Sequence, residues 1–126
     1  MVFLLFDITQ RKKAMLKKEI LRRNSDFTSI YKKGKSVGHR FVVVFYRKNN
    51  LPYNRIAFLA SKKVGNSVIR NRARRLMKES YRQINQRFAI GYDIIFIARN
   101  TIINTKCADV KKSIEAATRK AGILKK

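Results

Sequence analysis

The stretch from Ser61 to Tyr81, SKKVGNSVIRNRARRLMKESY, does most to constrain what this chain can fold into. Between Lys62 and Lys78 it carries seven Lys or Arg residues and no acid, yet it keeps a regular apolar period. On a helix turning roughly 100° per residue, Ile69, Ala73, Leu76, Ser80 and Ile84 fall on one stripe, with Met77 at its edge. Arg70, Asn71, Arg72, Arg74, Arg75 and Lys78 fan across the other side. The apolar stripe needs a core to lie on, and the like charges repel one another unless an anion answers them. Lys62, Lys63, Gly65, Asn66 and Ser67 stand just before the helix. Ser67 or Asn66 can serve as its N-cap, and Gly65 lets the backbone turn closely. The free N–H groups of the first turn and the two lysines then face the same way, which suits phosphate. Arg outnumbers Lys in the helical part, and the planar guanidinium forms forked phosphate contacts.

A solvated basic face is the plainer reading of such a run. Solvated helices, however, usually interleave Glu for i,i+4 pairing, and here none is interleaved. The rest of the chain supplies no internal partner either, because the formal net charge over 126 residues is +24. A charge of that size points to a polyanion, with nucleic acid as the first candidate. A membrane surface fits less well without a free-standing amphipathic basic helix, and no stretch approaches the ~20 apolar residues of a span. Met1 to Phe6 is apolar but short and followed by Asp7, so it is not expected to be a signal peptide.

Composition argues against chemistry by the protein itself. There is one histidine, His39, and one cysteine, Cys107, with acids scattered at Asp7, Glu19, Asp26, Glu79, Asp93, Asp109 and Glu115. None shows metal-ligand spacing, and no nucleophile motif is present, so no catalytic or metal-binding residue is assigned. His39 reads as a polar strand residue or an RNA contact. Cys107, near a helix start, reads as a small packing residue. A lone cysteine forms no internal disulfide; no disulfide-linked partner and a cytoplasmic location are expected.

The remaining elements follow in order. Residues 1–14 form an N-terminal extension, the basic Arg11-Lys12-Lys13 within it, and Met15 to Arg23 continues as a basic lead-in with a few apolar anchors. Asn24-Ser25-Asp26-Phe27 opens a short helix, with Ser25 as N-cap and Gly34 as the stop. Phe27, Ile30 and Tyr31 share one of its faces. Lys35 to Lys48 reads as extended, most strongly over Phe41 to Tyr46. Phe41, Val43 and Phe45 point one way and Val42, Val44 and Tyr46 the other, so helices cover one side and something else uses the second. A loop with the only proline, Pro52, leads to a strand from Arg55 to Ser61 that returns antiparallel. The basic helix ends near Phe88 to Gly91, and Tyr92 to Ile97 reads as a buried central strand. Thr105 to Ala121 is a last amphipathic helix, with Val110, Ile114 and Ala117 inward and Gly122 as its stop. The fold class is α+β: a single-domain α/β sandwich with one small mixed sheet of about four strands, in the order α-β-β-β-α-β-α. One RNA-binding domain spans 15–122, and 123–126 is a basic tail.

SKKVGNSVIRNRARRLMKES resembles the "RNR" signature of the bacterial ribonuclease P protein subunit, with Arg70-Asn71-Arg72 as the RNR itself. Tyr92-Asp93, the apolar run after it and Ala98-Arg99 match the family too, and the likeness extends over roughly Leu16 to Gly122. It implies a subunit of the enzyme that matures the 5′ end of precursor tRNA. In this family the RNA subunit carries the active site and its Mg2+, and the protein binds no cofactor of its own. Lys62, Lys63, Asn66, Arg70, Asn71, Arg72, Arg74, Arg75 and Lys78 would then bind the ribonuclease P RNA. Phe27, Tyr31 and Phe45, with Phe41, would hold the single-stranded 5′ leader of the precursor tRNA. Ala57 departs from the pattern by standing where the family often has glycine, which bears on strand packing. The alternative is a structural rRNA-binding ribosomal protein, which needs the basic helix but no aromatic cleft. A stand-alone ribonuclease lacks candidate acids and bases, and a DNA-binding module lacks the second helix of a helix-turn-helix.

Overall fold

The computed structural model of the protein describes residues 19–125. The N-terminal extension, the first four residues of the basic lead-in (15–18) and Lys126 lie outside the described residues. Helix α1 spans Asn24–Lys33, followed by strands β1 (Lys35–Gly38), β2 (Val42–Lys48) and β3 (Arg55–Leu59). Helix α2 covers Ser67–Ile84, β4 covers Tyr92–Ala98 and α3 covers Cys107–Ala121. The order is the expected α-β-β-β-α-β-α.

The segment expected to be extended from Lys35 to Lys48 folds back on itself. Gly38 faces Val43 across a hairpin, and the His39 N–H closes the turn onto the Val42 carbonyl at 2.8 Å. β3 does run antiparallel to β2, but the two are not neighbours. β4 inserts between them, antiparallel to β2 from Val42↔Ala98 to Lys48↔Tyr92 and parallel to β3 from Arg55↔Asp93 to Leu59↔Ile97. The sheet order is β1-β2-β4-β3. A strand with partners on both edges and helices on both faces must be apolar throughout, which explains the unbroken Ile94-Ile95-Phe96-Ile97 run.

Strand alternation sorts the core into two layers. Val42, Val44, Ile56, Ile94, Phe96 and Ala98 face α2 and α3, where Ala73, Met77, Tyr81, Ile84, Val110, Ile114 and Ala117 complete the larger core. Ala57 and Ile95 face the other way, with Phe45, Leu59 and Ile97, and pack against Ile30 and Phe27 of α1 and against Leu21. Helix pairs therefore cover one side of the sheet and α1 part of the other.

Several local expectations are corrected. The buried stripe of α2 is Ala73, Met77, Ser80, Tyr81 and Ile84, so Met77 sits at its centre while Ile69 and Leu76 are only half-buried. The helix turns a little further toward α3 than its sequence period suggested, because α3 packs alongside it and Ser80 takes a place against Cys107. α2 stops at Ile84, followed by a short 3-10 turn over Asn85–Arg87. α1 begins at Asn24 with Arg23 at its N-cap and no side-chain cap; the Arg23 carbonyl takes the N–H groups of Asp26 and Phe27 at 3.1 and 3.2 Å. Ser25 thus lies inside the first turn rather than capping it. The basic tail is tied in: Ile123 and Leu124 are buried, and the Ala89 and Lys125 N–H groups donate to the Ile123 and Arg87 carbonyls. Gly122, at φ 82°, makes that reversal after α3, a left-handed conformation that suits glycine. No helix among the described residues is long and apolar enough to cross a membrane.

Candidate nucleic-acid interface

The basic surface is built by one turn and one helix. Val64 is buried and its N–H closes on the Ser61 carbonyl at 3.0 Å, which leaves Lys62 and Lys63 exposed on the outside of the turn. Gly65 follows at φ 155°, where an added Cβ would stand 2.9 Å from the Ile69 side chain. Asn66 then caps α2, its Oδ1 accepting the Ile69 N–H at 3.0 Å, so Asn66 rather than Ser67 is the cap.

Along α2, Asn71, Arg72, Arg75 and Lys78 are exposed, while Arg70 and Arg74 are half-buried. Neighbours hold some of these side chains in place. The Arg70 guanidinium donates to Ser67 Oγ at 3.1 Å, its Nε remaining without a partner, and the Arg74 guanidinium donates to Asn71 Oδ1. Arg72 departs from the group: its Nη2 donates to the Thr105 carbonyl at 2.6 Å, tying α2 to the turn ahead of α3. Asn71, Arg74, Arg75 and Lys78 line one groove together.

Acids neutralise a different set of arginines. Glu79 pairs with Arg82, and Glu115 with Arg87. Asp93, with its side chain 0% exposed, takes Arg55 in a fork at 2.8 and 2.7 Å, Arg47 Nε at 3.2 Å and the Asn49 amide at 2.9 Å. Burial pushes the Asp93 carboxyl pKa up, but the hydrogen bonds from Arg55 and Asn49 outweigh it and hold it below the usual range. Asp26 adds a second carboxylate, 3.6 Å from Arg55 and 3.9 Å from Arg47. None of these four acids pairs with the basic residues of the Lys62–Lys78 run.

The aromatic group lies on the opposite face of the sheet, whose register sets out three rows beneath α1. The charged row Arg47–Asp93–Arg55 comes first, then Phe45–Ile95–Ala57, then Val43–Ile97–Leu59. Ile30 of α1 is fully buried over the middle row. Arg47 reaches Ser29 Oγ of α1, so the charged row fixes the helix at that end. The third row is only half-buried. Phe27 packs against the cluster and Tyr31 sets its ring edge-on to Phe45, centroids 4.9 Å apart, while staying 42% exposed. Partial burial raises the Tyr31 pKa. Phe27, Tyr31 and Phe45 are thus brought together. Phe41 is not: it lies in the hairpin ahead of β2, packs against the larger core, donates its N–H to Ser113 Oγ at 3.2 Å and lies under the Arg40 guanidinium. Ala57, on the middle row, does touch strand packing. His39 is a turn residue, its Nδ1 2.9 Å from Ser113 Oγ. Among the described residues, no three His, Cys, Asp or Glu side chains gather to hold a metal ion.

Known proteins share both the sequence pattern and the fold. Residues 15–122 match the family model described as Ribonuclease P. The chain belongs to the ribonuclease P protein family. It is 41% identical over 104 residues to the ribonuclease P protein component of Alkaliphilus oremlandii, covering 82% of this chain and 91% of that one. It is 41% identical over 109 residues to that of Clostridium botulinum strain Langeland, covering 86% and 98%. Among solved structures, the Staphylococcus aureus RNase P protein superposes with a TM-score of 0.76 at 32% identity, covering 84% of this chain and 97% of that one. The Thermotoga maritima protein gives 0.73 at 29%, covering 80% and 96%. The mixed four-stranded sheet with three helices is the ribonuclease P protein fold. The role that goes with it is that of a subunit of the tRNA 5′-maturing endoribonuclease. The ribosomal-protein alternative receives no support from these likenesses.

Phe27 and Tyr31 shared a face legibly, at i, i+4 on α1; Phe45 of β2 joins them, while Phe41, ahead of that strand, does not. The Asp93 centre was missed as a unit. Its one signal was an acid opening an otherwise apolar strand, with arginines near the ends of two others.

Proposed function

We propose that this chain works between two RNAs, with α2 on the ribonuclease P RNA and the α1 face on the single-stranded 5′ leader of precursor tRNA. The observation that carries this reading is the placement of the two surfaces on opposite sides of one sheet. α2, with its unanswered cations, packs on the side of the larger core, and Phe27, Tyr31 and Phe45 lie on the other. On the first surface Lys62, Lys63, Asn66, Arg70, Asn71, Arg74, Arg75 and Lys78 neutralise phosphates and release counterions, with Arg72 beside them. On the second, aromatic rings stack unpaired bases above a half-buried apolar floor. Phe41, set apart from the other three rings, belongs at most to the border of that surface.

No residue of the chain acts as general acid, base or nucleophile in this reading. Magnesium ions held by the RNA would supply the activated water and charge stabilisation for phosphodiester hydrolysis. The protein's part is to lower the repulsion between two polyanions and to fix the leader relative to the catalytic RNA. A nucleic-acid partner and a lone cysteine also fit a cytoplasmic location.

Reconstitution tests the proposal. The chain is added to a bacterial ribonuclease P RNA at low magnesium with precursor tRNA as substrate. Cleavage at the mature 5′ end only when both components are present supports it. Binding of that RNA without any stimulation of cleavage would reduce the chain to an RNA-binding protein. If ~6–10 phosphates are contacted, affinity for the RNA falls by ~10³–10⁵ between 50 and 200 mM salt.

A further inference from the structure

The groove beside α2 has a feature that phosphate neutralisation does not use. It occupies about 650 Å³ between β3 and α2 and is lined by Phe58, Val68, Asn71, Arg74, Arg75 and Lys78. A site for phosphate alone would need only the last four. Val68 is 73% exposed on a helix that otherwise turns its aliphatic side chains inward. Phe58 is half-buried and has one ring face occupied, stacked on Phe96 at 5.4 Å with 11° between the planes; Tyr81 meets it at 5.9 Å and 61°. The part of the Phe58 ring that Phe96 and Tyr81 leave uncovered lines the groove together with the exposed Val68 side chain, so a planar group can lie against both.

Around that apolar base the polar groups are ordered for an anion. Asn71 Oδ1 accepts from Arg74, which holds the guanidinium in place and leaves the Asn71 amide N–H groups available. Arg75 and Lys78 complete the rim, and no carboxylate lines the groove. A flat apolar slot beside fixed cations matches one chemical unit: an unstacked nucleobase with its own phosphate.

We propose that this groove is a nucleotide pocket, in which Phe58 and Val68 receive one unstacked base of the ribonuclease P RNA while Asn71, Arg74, Arg75 and Lys78 hold its phosphate. The inference rests on the subunit reading above and deepens it, because it adds base recognition to a surface otherwise assigned to charge.

The test measures binding of the full chain to ribonuclease P RNA across a salt series, with base-modifying reagents mapping the complex. Val68→Ala and Phe58→Leu are the variants. Val68 is exposed and alanine favours helix, so Val68→Ala keeps the test open if Phe58→Leu fails to fold. The expected result is a roughly tenfold loss of affinity, equivalent to about 1.4 kcal/mol. The dependence on salt should be unchanged, since an apolar contact releases no counterions. At least one base protected by the natural chain should regain its reactivity in Val68→Ala. Unchanged affinity and protections in Val68→Ala overturn the pocket while leaving the subunit reading intact. A loss of affinity with a shallower salt slope overturns it too, since the groove would then serve phosphate alone. If the natural chain itself does not bind the RNA, the subunit reading fails and the pocket fails with it.

Discussion

Replacing Asp93 by Asn is the sharpest probe of how the aromatic face is held in place. The carboxylate is fully buried and takes four hydrogen bonds, two from Arg55 and one each from Arg47 and Asn49. An asparagine of the same shape keeps one acceptor oxygen but turns an NH2 toward donors, and it leaves two guanidiniums without their buried counter-charge. Removing one partner of a buried charged cluster costs ~3–5 kcal/mol. Asp26, within 4 Å of both arginines, retains part of the attraction and places the expected loss toward the lower end. Against the ~5–15 kcal/mol that stabilises a domain of this kind, that is a large share. At about 4 °C per kcal/mol for a chain of this size, a loss of ~3–4 kcal/mol lowers Tm by ~12–16 °C. The acid limb should change as well. Because Asp93 titrates below its ordinary value in the folded chain, its contribution is present above about pH 4 and lost as pH falls through its folded pKa. Thermal melts of both proteins at several pH values read both effects. In Asp93→Asn the gap to the natural chain should narrow as the pH is lowered. A melt within a degree of the natural chain at neutral pH would show that Arg47 and Arg55 manage without Asp93, and the account of how α1 is fixed would fall.

Reversing Arg70 and Arg74 to Glu should leave the melt unchanged while affinity for ribonuclease P RNA drops and its salt dependence becomes shallower; an unchanged slope would remove α2 from the interface. Exchanging Phe27 and Tyr31 for Ala should weaken precursor tRNA carrying a 5′ leader by roughly tenfold or more and leave mature tRNA unaffected, read by titration of the reconstituted enzyme. Tyr31→Ala alone tests the same point without opening the core, because Tyr31 is partly exposed. Burial pushes the Tyr81 pKa up to about 12, although a hydrogen bond with Asn54 opposes it. The stability this contributes is present below about pH 10 and lost as pH rises through 12. Tyr81→Phe should therefore flatten the alkaline limb of the stability profile.

Much of this arrangement was legible in the order of residues, and the limits have physical causes. The α3 face of Val110, Ile114 and Ala117 and its glycine stop follow from local periodicity, and all three residues are buried in the structure. So does the double-sided burial of β4, since only a central strand needs apolar residues in succession. Local signals could not say which strand β3 would pair with. Its antiparallel direction relative to β2 was readable, but the insertion of β4 between them depends on a contact made after α2. Likewise Phe41 alternates with Phe45 in sequence, yet the hairpin at Gly38 to Phe41 carries it away from the other rings. The rotation of the α2 stripe toward Met77 and Tyr81 was set by the neighbour α3, which the helix's own period does not report. Ser25 was a reasonable cap on composition, but the Arg47–Ser29 and Arg55–Asp26 contacts fix where α1 lies, and its cap falls two residues earlier, at Arg23.

The position of β4 in the sheet also sets a timetable for the chain as it is synthesised. The strand that joins both halves of the sheet is made only after β1, β2, β3 and the whole of α2. At ~5–20 residues per second, the ~30 residues between β3 and β4 take on the order of seconds to emerge. For that interval β3 has no partner strand at the edge where β4 will pair, and α2 has no closed core to lie on. A strongly cationic helix is thus presented before its own domain is complete, in surroundings crowded with RNA. The charge that discourages such nascent chains from sticking to one another also exposes them to any polyanion within reach. Emergence of β4, rather than the first appearance of the basic segment, marks when α2 gains the sheet that holds its cations in a fixed arrangement.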